Sequence, residues 1–147
     1  MKIVVYEHVS GGGYAQQLIP TDILSEGFAM LRCVVADFKA AGHQVTVLLD
    51  ARISKLDPPI EAVSTIPIIY ANEPKKFLSN IAKNNDAAYV IAPETAQTLQ
   101  TFVELVQETG KTSLNSDPHA ISQVSNKALL YESLQKKGFS IPKTIKL

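Results

Sequence analysis

The residues able to do chemistry in this chain sit just past runs of apolar residues. Glu7-His8-Val9-Ser10-Gly11-Gly12-Gly13 follows Lys2–Tyr6, Pro93-Glu94-Thr95 follows Ala87–Ala92, and Asn115-Ser116-Asp117 follows Thr112–Leu114. A carboxylate such as Glu7 at a strand end either salt-bridges locally or binds a substrate ammonium. His8 is a polar loop contact or a substrate contact. Glu94, Asn115 and Ser10 are polar candidates of the same kind. Gly11, Gly12 and Gly13 let the backbone approach a ligand closely, act as a hinge, or form a plain surface loop. Lys127 stands near the start of the last helical segment, where the positive helix end disfavours a cation. It is either solvated or there to raise the local potential for a phosphate.

Familiar phosphate-binding patterns are absent. The glycine loop lacks the third glycine of the dinucleotide fingerprint, because Gln16 stands there if Gly13 is the second. No Gly-Lys-Ser/Thr follows it. His8, His43 and His119 have no metal-ligand spacing, and Cys33 has no second cysteine beside it, so no metal site is expected from this chain. Cys33 lies within a helical apolar stripe and reads as a small core residue. His43 follows a helix stop and reads as solvated.

Composition bounds the class. The chain has 147 residues, 46% hydrophobic and 19% charged, with 14 basic and 14 acidic side chains. One domain with a substantial core is expected. Zero formal net charge and the lack of basic runs give no support to a nucleic-acid partner. The apolar runs are strand-length, so no membrane span is expected, and a cytoplasmic setting follows from the single cysteine and the lack of a signal peptide.

These residues are held by alternating elements. The strand expectations are Lys2–Tyr6, Gln44–Leu49, Thr65–Tyr70 with Pro67 marking an edge, Ala87–Ala92 and Thr112–Leu114. A helix is expected after Asp22 with Ser25 as its N-cap and Glu26 in its first turn. Its stripe is Phe28, Leu31, Val34, Val35 and Phe38, with Gly42 as the stop. Further helices are expected over Glu73–Asn84, Thr95–Thr109, a turn at Asp117-Pro118, and about Asn126–Lys137. The fold class is therefore α/β: a Rossmann-like three-layer α/β/α sandwich with a mostly parallel sheet of about five strands, order 3-2-1-4-5. In such sheets ligands sit at the carboxyl ends near the reversal of strand order, where these polar loops converge.

The last residues point beyond the lobe. Gly138 stops the final helix and Pro142 enforces an extended exit toward Leu147. A small domain that ends by launching a strand is expected to lead into another.

Two stretches carry a resemblance. Asn115-Ser116-Asp117-Pro118-His119-Ala120-Ile121, Ser125-Asn126-Lys127 and Leu134-Gln135-Lys136-Lys137-Gly138-Phe139-Ser140-Ile141-Pro142-Lys143-Thr144 resemble the end of the N-terminal domain of ATP-grasp ligases. The usual Asp-Lys pair is Asn126-Lys127 here, so the acidic partner is missing. Tyr6–Gly13 with Ser25-Glu26-Gly27-Phe28-Ala29-Met30-Leu31 looks like the pre-ATP-grasp domain of the archaeal tyramine–L-glutamate ligase group. The resemblance implies residues 1–140 as a pre-ATP-grasp domain and 141–147 as the start of a link into an ATP-grasp domain. It implies ATP and Mg²⁺ as cofactors, carboxylate and amine substrates, an acyl phosphate and an amide product. Lys127 would contact the nucleotide phosphates, and the Glu7–Gly13 loop, Glu94 and Asn115 would face substrate. Catalytic residues and metal ligands would lie in the other domain, leaving this chain alone inactive and a weak ATP binder. A homo-oligomer is compatible with the sequence. Two rivals remain open: a self-contained flavodoxin-like small-molecule-binding module, and half of a glycosyltransferase.

Overall fold

The computed structural model describes residues 1–56 and 58–143. The extended exit expected toward Leu147 falls in part on 144–147, outside the described residues.

Five strands form one sheet: β1 Lys2–Glu7, β2 Gln44–Asp50, β3 Ser64–Ile68, β4 Ala87–Ile91 and β5 Thr112–Ser113. Their order is β3-β2-β1-β4-β5, and each neighbouring pair is parallel. Pro67 pairs with Leu49 on edge strand β3, where its missing N–H is tolerated. The chain runs outward from β1 through β2 to β3, then crosses back to β4. The strand order therefore reverses between β1 and β4.

Helix α1 (Thr21–Ala40) covers one face of the sheet; α2 (Glu73–Ala82), α3 (Thr98–Gln107) and α4 (Pro118–Ser125) cover the other. Side chains of β1 alternate between the layers. Ile3 and Val5 join the α1 core with Leu31, Val35, Val45 and Val47. Val4 and Tyr6 join the opposite core with Leu78, Phe102, Val103 and Val106. This alternation sends Glu7 toward α1 and His8 toward α2 and α3.

Three expectations are corrected. Helix α1 begins at Thr21, one turn before Ser25, whose hydroxyl instead donates to the Thr21 carbonyl at 2.9 Å. Leu24 packs on the α1 core, so the apolar stripe continues back through an extra turn. Cys33 is exposed, not core: two residues past buried Leu31 it has rotated to the outer face. The helix expected from Thr95 starts in earnest at Thr98. Thr95–Gln97 is a short 3₁₀ turn with Ala96 at φ 53° and Gln97 at φ 58°, both left-handed.

Asn126 separates α4 from α5 (Lys127–Lys136), and its Oδ1 accepts from the N–H groups of Ala128 and Leu129 at 3.1 and 3.2 Å. No residue of α5 is buried. No helix among the described residues is long and apolar enough to cross a membrane.

Candidate functional site

The turn after β1 is folded around its own glutamate. Glu7 is 2% exposed. Its Oε1 accepts from the Val9 N–H at 2.9 Å, and its Oε2 accepts from the Ser10 N–H and hydroxyl at 2.7 and 2.6 Å. A carboxylate receiving three donors is a strong local cap. Helix α1 can approach it only because residue 27 is glycine: a Cβ there would lie 2.6 Å from Glu7 Oε2. The Glu-Xaa-Xaa-Ser-Gly-Gly-Gly and Ser-Glu-Gly-Phe stretches are thus two halves of one packed contact.

The glycine run is packed, not a loose surface loop. Ser10, Gly11 and Gly12 are buried. A Cβ at Gly11 would meet the Tyr6 ring at 2.7 Å, and one at Gly12 would meet Ile68 Cγ2 at 2.3 Å. Gly12 also takes φ +93°, which other residues rarely adopt. Gly13 does not have a positive φ; a Cβ there would sit 2.5 Å from Cε1 and Nε2 of His8 and from the His8 carbonyl oxygen.

His8 stands where strand order reverses, its N–H donating to the Ile91 carbonyl at 2.8 Å. Tyr6 Oη lies 3.1 Å from His8 Nδ1. Burial pushes the Tyr6 hydroxyl well above the usual tyrosine range, and the Glu7 charge adds to this, so the phenol keeps its proton. Burial lowers the His8 imidazole pKa, partly opposed by Glu7. A neutral ring accepting at Nδ1 carries its proton on Nε2.

Three hollows run along the carboxyl edge of the sheet. The first, about 250 Å³, is lined by Tyr6, His8, Gly13, Lys75, Thr101 and Phe102 among others. The second, about 600 Å³ and polar, is lined by Glu94, Thr95, Gln97, Ser125, Asn126 and Lys127. Ala96 borders both, so the left-handed step at Ala96-Gln97 is the ridge between them. The third, about 390 Å³, lies on the α1 side of His8 between Val9, Tyr14, Ile23, Met30 and Ile91, with Glu7 and Glu26 also in its wall.

The candidate residues are therefore distributed. Glu7, His8, Ser10 and Gly11–Gly13 form one unit; exposed Glu94 and exposed Lys127 share a second hollow. Asn115 lines none of the three. Its Oδ1 accepts from the Val90 N–H at 2.9 Å and its Nδ2 donates to the Val90 carbonyl at 2.7 Å, extending the β4–β5 ladder past two-residue β5. Among the described residues Lys127 has no carboxylate partner.

Sequence reading missed a clamp. Arg52 Nε and Nη2 donate to Asp50 Oδ1 and Oδ2 at 2.9 and 2.7 Å, while Nη1 and Nη2 reach the carbonyls of Gln17 and Tyr14 at 2.6 and 2.8 Å. Burial alone would push the Asp50 carboxyl up; the hydrogen bonds and charge of Arg52 outweigh it and hold the group below its usual range. The Asp-Xaa-Arg spacing at a strand end was the only local signal. Lys75, Thr98, Thr101 and Phe102 were also missed, because nothing in helices α2 and α3 says that their first turns face one hollow.

The sequence matches the family described as the pre ATP-grasp 3 domain over residues 43–121, more than half of the chain. No curated protein sequence matches it. Among solved structures it is similar to a putative ATP-grasp superfamily protein from Archaeoglobus fulgidus, with 22% identity and a TM-score of 0.70 over 92% of this chain. It is also similar to the biotin carboxylase subunit of pyruvate carboxylase, with 15% identity and a TM-score of 0.62, again over 92% of this chain. The chain spans 40% of the first protein's length and 27% of the second's. At these identities the likeness establishes the shared α/β fold.

Proposed function

The chain belongs to the pre ATP-grasp 3 domain family, and from that premise we propose that it is the amino-terminal lobe of an ATP-dependent carboxylate–amine ligase working in the cytoplasm. Family membership carries the reading. The partial coverage of the two similar structures supports a lobe joined to an ATP-grasp domain.

In this reaction class a carboxylate oxygen takes the γ-phosphoryl group and ADP leaves. The amine nitrogen then attacks the acyl carbon, phosphate departs, and the ammonium proton is lost to give the amide. This lobe contributes binding and orientation. Lys127 lies on the wall of the polar hollow at the carboxyl edge, across from the loop after β4. Its ammonium would offset phosphate charge there. Asn126 already caps two N–H groups of α5, so the phosphate contact runs through the Lys127 side chain rather than the helix end. The packed Glu7–Gly13 turn keeps His8 in place as a wall between two hollows. Glu7 acts through the turn it caps and not as a free carboxylate. Magnesium, when bound, would neutralise the phosphates. By the resemblance, its ligands would lie in the ATP-grasp domain. L-Glutamate and tyramine are the substrate pair proposed, on the resemblance of the Tyr6–Gly13 and Ser25–Leu31 stretches.

The test is ADP release and amide formation by the product of the whole reading frame that carries this chain, with L-glutamate and tyramine. Lys127→Met should lower kcat/KM by roughly 10- to 100-fold, and the 147-residue chain alone should not turn over. Unchanged kcat/KM in Lys127→Met removes that residue from the nucleotide site. Failure to form any amide from ATP, a carboxylate and an amine defeats the ligase reading.

A further inference from the structure

The hollow between α2 and α3 has a chemistry of its own. Its polar side chains come from the turn after β1 and from two helices: His8, Lys75 on α2, and Thr98 and Thr101 on α3, with the Thr98 hydroxyl already donating to the Thr95 carbonyl at 3.0 Å. Lys75 Nζ stands 6.0 Å above the Phe102 ring centroid and has no carboxylate partner among the described residues. Among the described residues no Asp or Glu lines the hollow. With the Tyr6 hydroxyl assigned as donor to Nδ1, the neutral His8 ring presents Nε2–H, and Nε2 has no hydrogen-bond partner among the described residues.

Gly13 closes the turn on the His8 carbonyl and also leaves the imidazole edge uncovered. Its φ is not positive, but a Cβ there would meet both the His8 carbonyl oxygen and the His8 ring at 2.5 Å. Any side chain there would press on the imidazole at Nε2. The missing Cβ leaves the ring edge uncovered toward the hollow that both residues line. The remaining wall is aromatic: Tyr6 and Phe102 have ring centroids 4.5 Å apart, and His8 meets Phe102 edge-on at 5.9 Å.

We propose that this hollow is a binding site for a small carboxylate, held by the Lys75 ammonium, the His8 Nε2–H and the Thr101 hydroxyl against the Phe102 ring. A cation, a neutral N–H donor and a hydroxyl with no opposing acid select an anion. A volume of about 250 Å³, below the roughly 300–1,000 Å³ of drug-sized sites, suits an occupant of amino-acid size. As an anion site this rests on the geometry alone; as the seat of the carboxylate substrate it rests on the ligase reading above.

The experiment is an ¹H–¹⁵N NMR titration of the 147-residue chain with L-glutamate, succinate, inorganic phosphate and tyramine, each added alone. L-Glutamate or succinate should shift the amides of Gly13, Thr98 and Thr101 and the His8 ring nitrogens saturably. Lys75→Met keeps the aliphatic stem on Phe102 and should weaken that binding about tenfold or more, consistent with loss of a charge-assisted contact. Lys76→Met, whose neighbour position faces a different hollow with Tyr70 and Phe77, should leave it unchanged. The proposal is overturned if neither carboxylate gives saturable shifts at these residues. It is equally overturned if the two lysine variants weaken binding alike, or if phosphate or tyramine binds there more tightly than the carboxylates. Because the readout is binding to this lobe, it can fail while the complete enzyme still makes amide, and the reverse.

Discussion

The turn after β1 and the start of α5 both belong to the carboxyl edge, yet they are built in opposite ways. In the first, the polar atoms of Glu7 and Ser10 are paired and the glycines touch protein on the sides where side chains would be. In the second, Lys127 is exposed, α5 buries no residue fully, and Leu129 stands 54% exposed beside it. The first region keeps its shape from contacts within this lobe. The second has its charge and apolar surface turned outward. Rigid geometry and available chemistry are thus separated along one edge, and His8 is where they meet.

The strongest way to break this contrast is Gly12→Ala. A Cβ would lie 2.3 Å from Ile68 in a left-handed backbone, and overpacking plus the positive φ should cost about 2–4 kcal/mol. Urea unfolding would measure it; a loss under about 0.5 kcal/mol would mean the turn is loosely held.

A smaller effect is expected from pH. The native state favours neutral His8, whose pKa burial lowers from its ordinary 6.5. The unfolded chain therefore binds the extra proton first. Stability should be complete above the ordinary value and fall as pH drops below it toward the lowered native value. Melting temperatures followed from about pH 7.5 to 5.5 should decline in the parent chain and less steeply in His8→Gln. Equal slopes would separate His8 from the fold's pH response.

The smallest effect should come from Lys127→Met, which sharpens the comparison. With no carboxylate partner among the described residues, its loss should change stability by no more than about 0.5 kcal/mol, whatever it does to turnover. A larger drop in unfolding free energy would show that Lys127 holds α5 in place.

Much of the fold was legible because its signals are local. Runs such as Ile3-Val4-Val5 mark strands, and Gly42 and Gly110 stop helices in the left-handed conformation their φ values show. Pro67 on an edge, together with right-handed crossovers, leaves few sheet orders. The site was legible only in place, not in detail. Glu7 could be put at a strand end, but its choice between Val9 and Ser10 and an outside ammonium depends on how the turn closes. Asn115 was a polar candidate whose amide both donates to and accepts from Val90, twenty-five positions away. Cys33 was misplaced although a stricter count from Leu31 and Val35 would have turned it outward. Lys75 and Phe102 meet only after two crossovers have set α2 beside α3.

The Arg52 guanidinium ties the carbonyls of Tyr14 and Gln17 to the end of β2 through Asp50. The glycine turn is consequently not a portable cassette. A chimera that transplanted residues 6–20 onto another parallel sheet would lose both guanidinium contacts, keeping only the Gln17 N–H on the Tyr14 carbonyl, unless it also imported an arginine two positions past an aspartate on the adjoining strand.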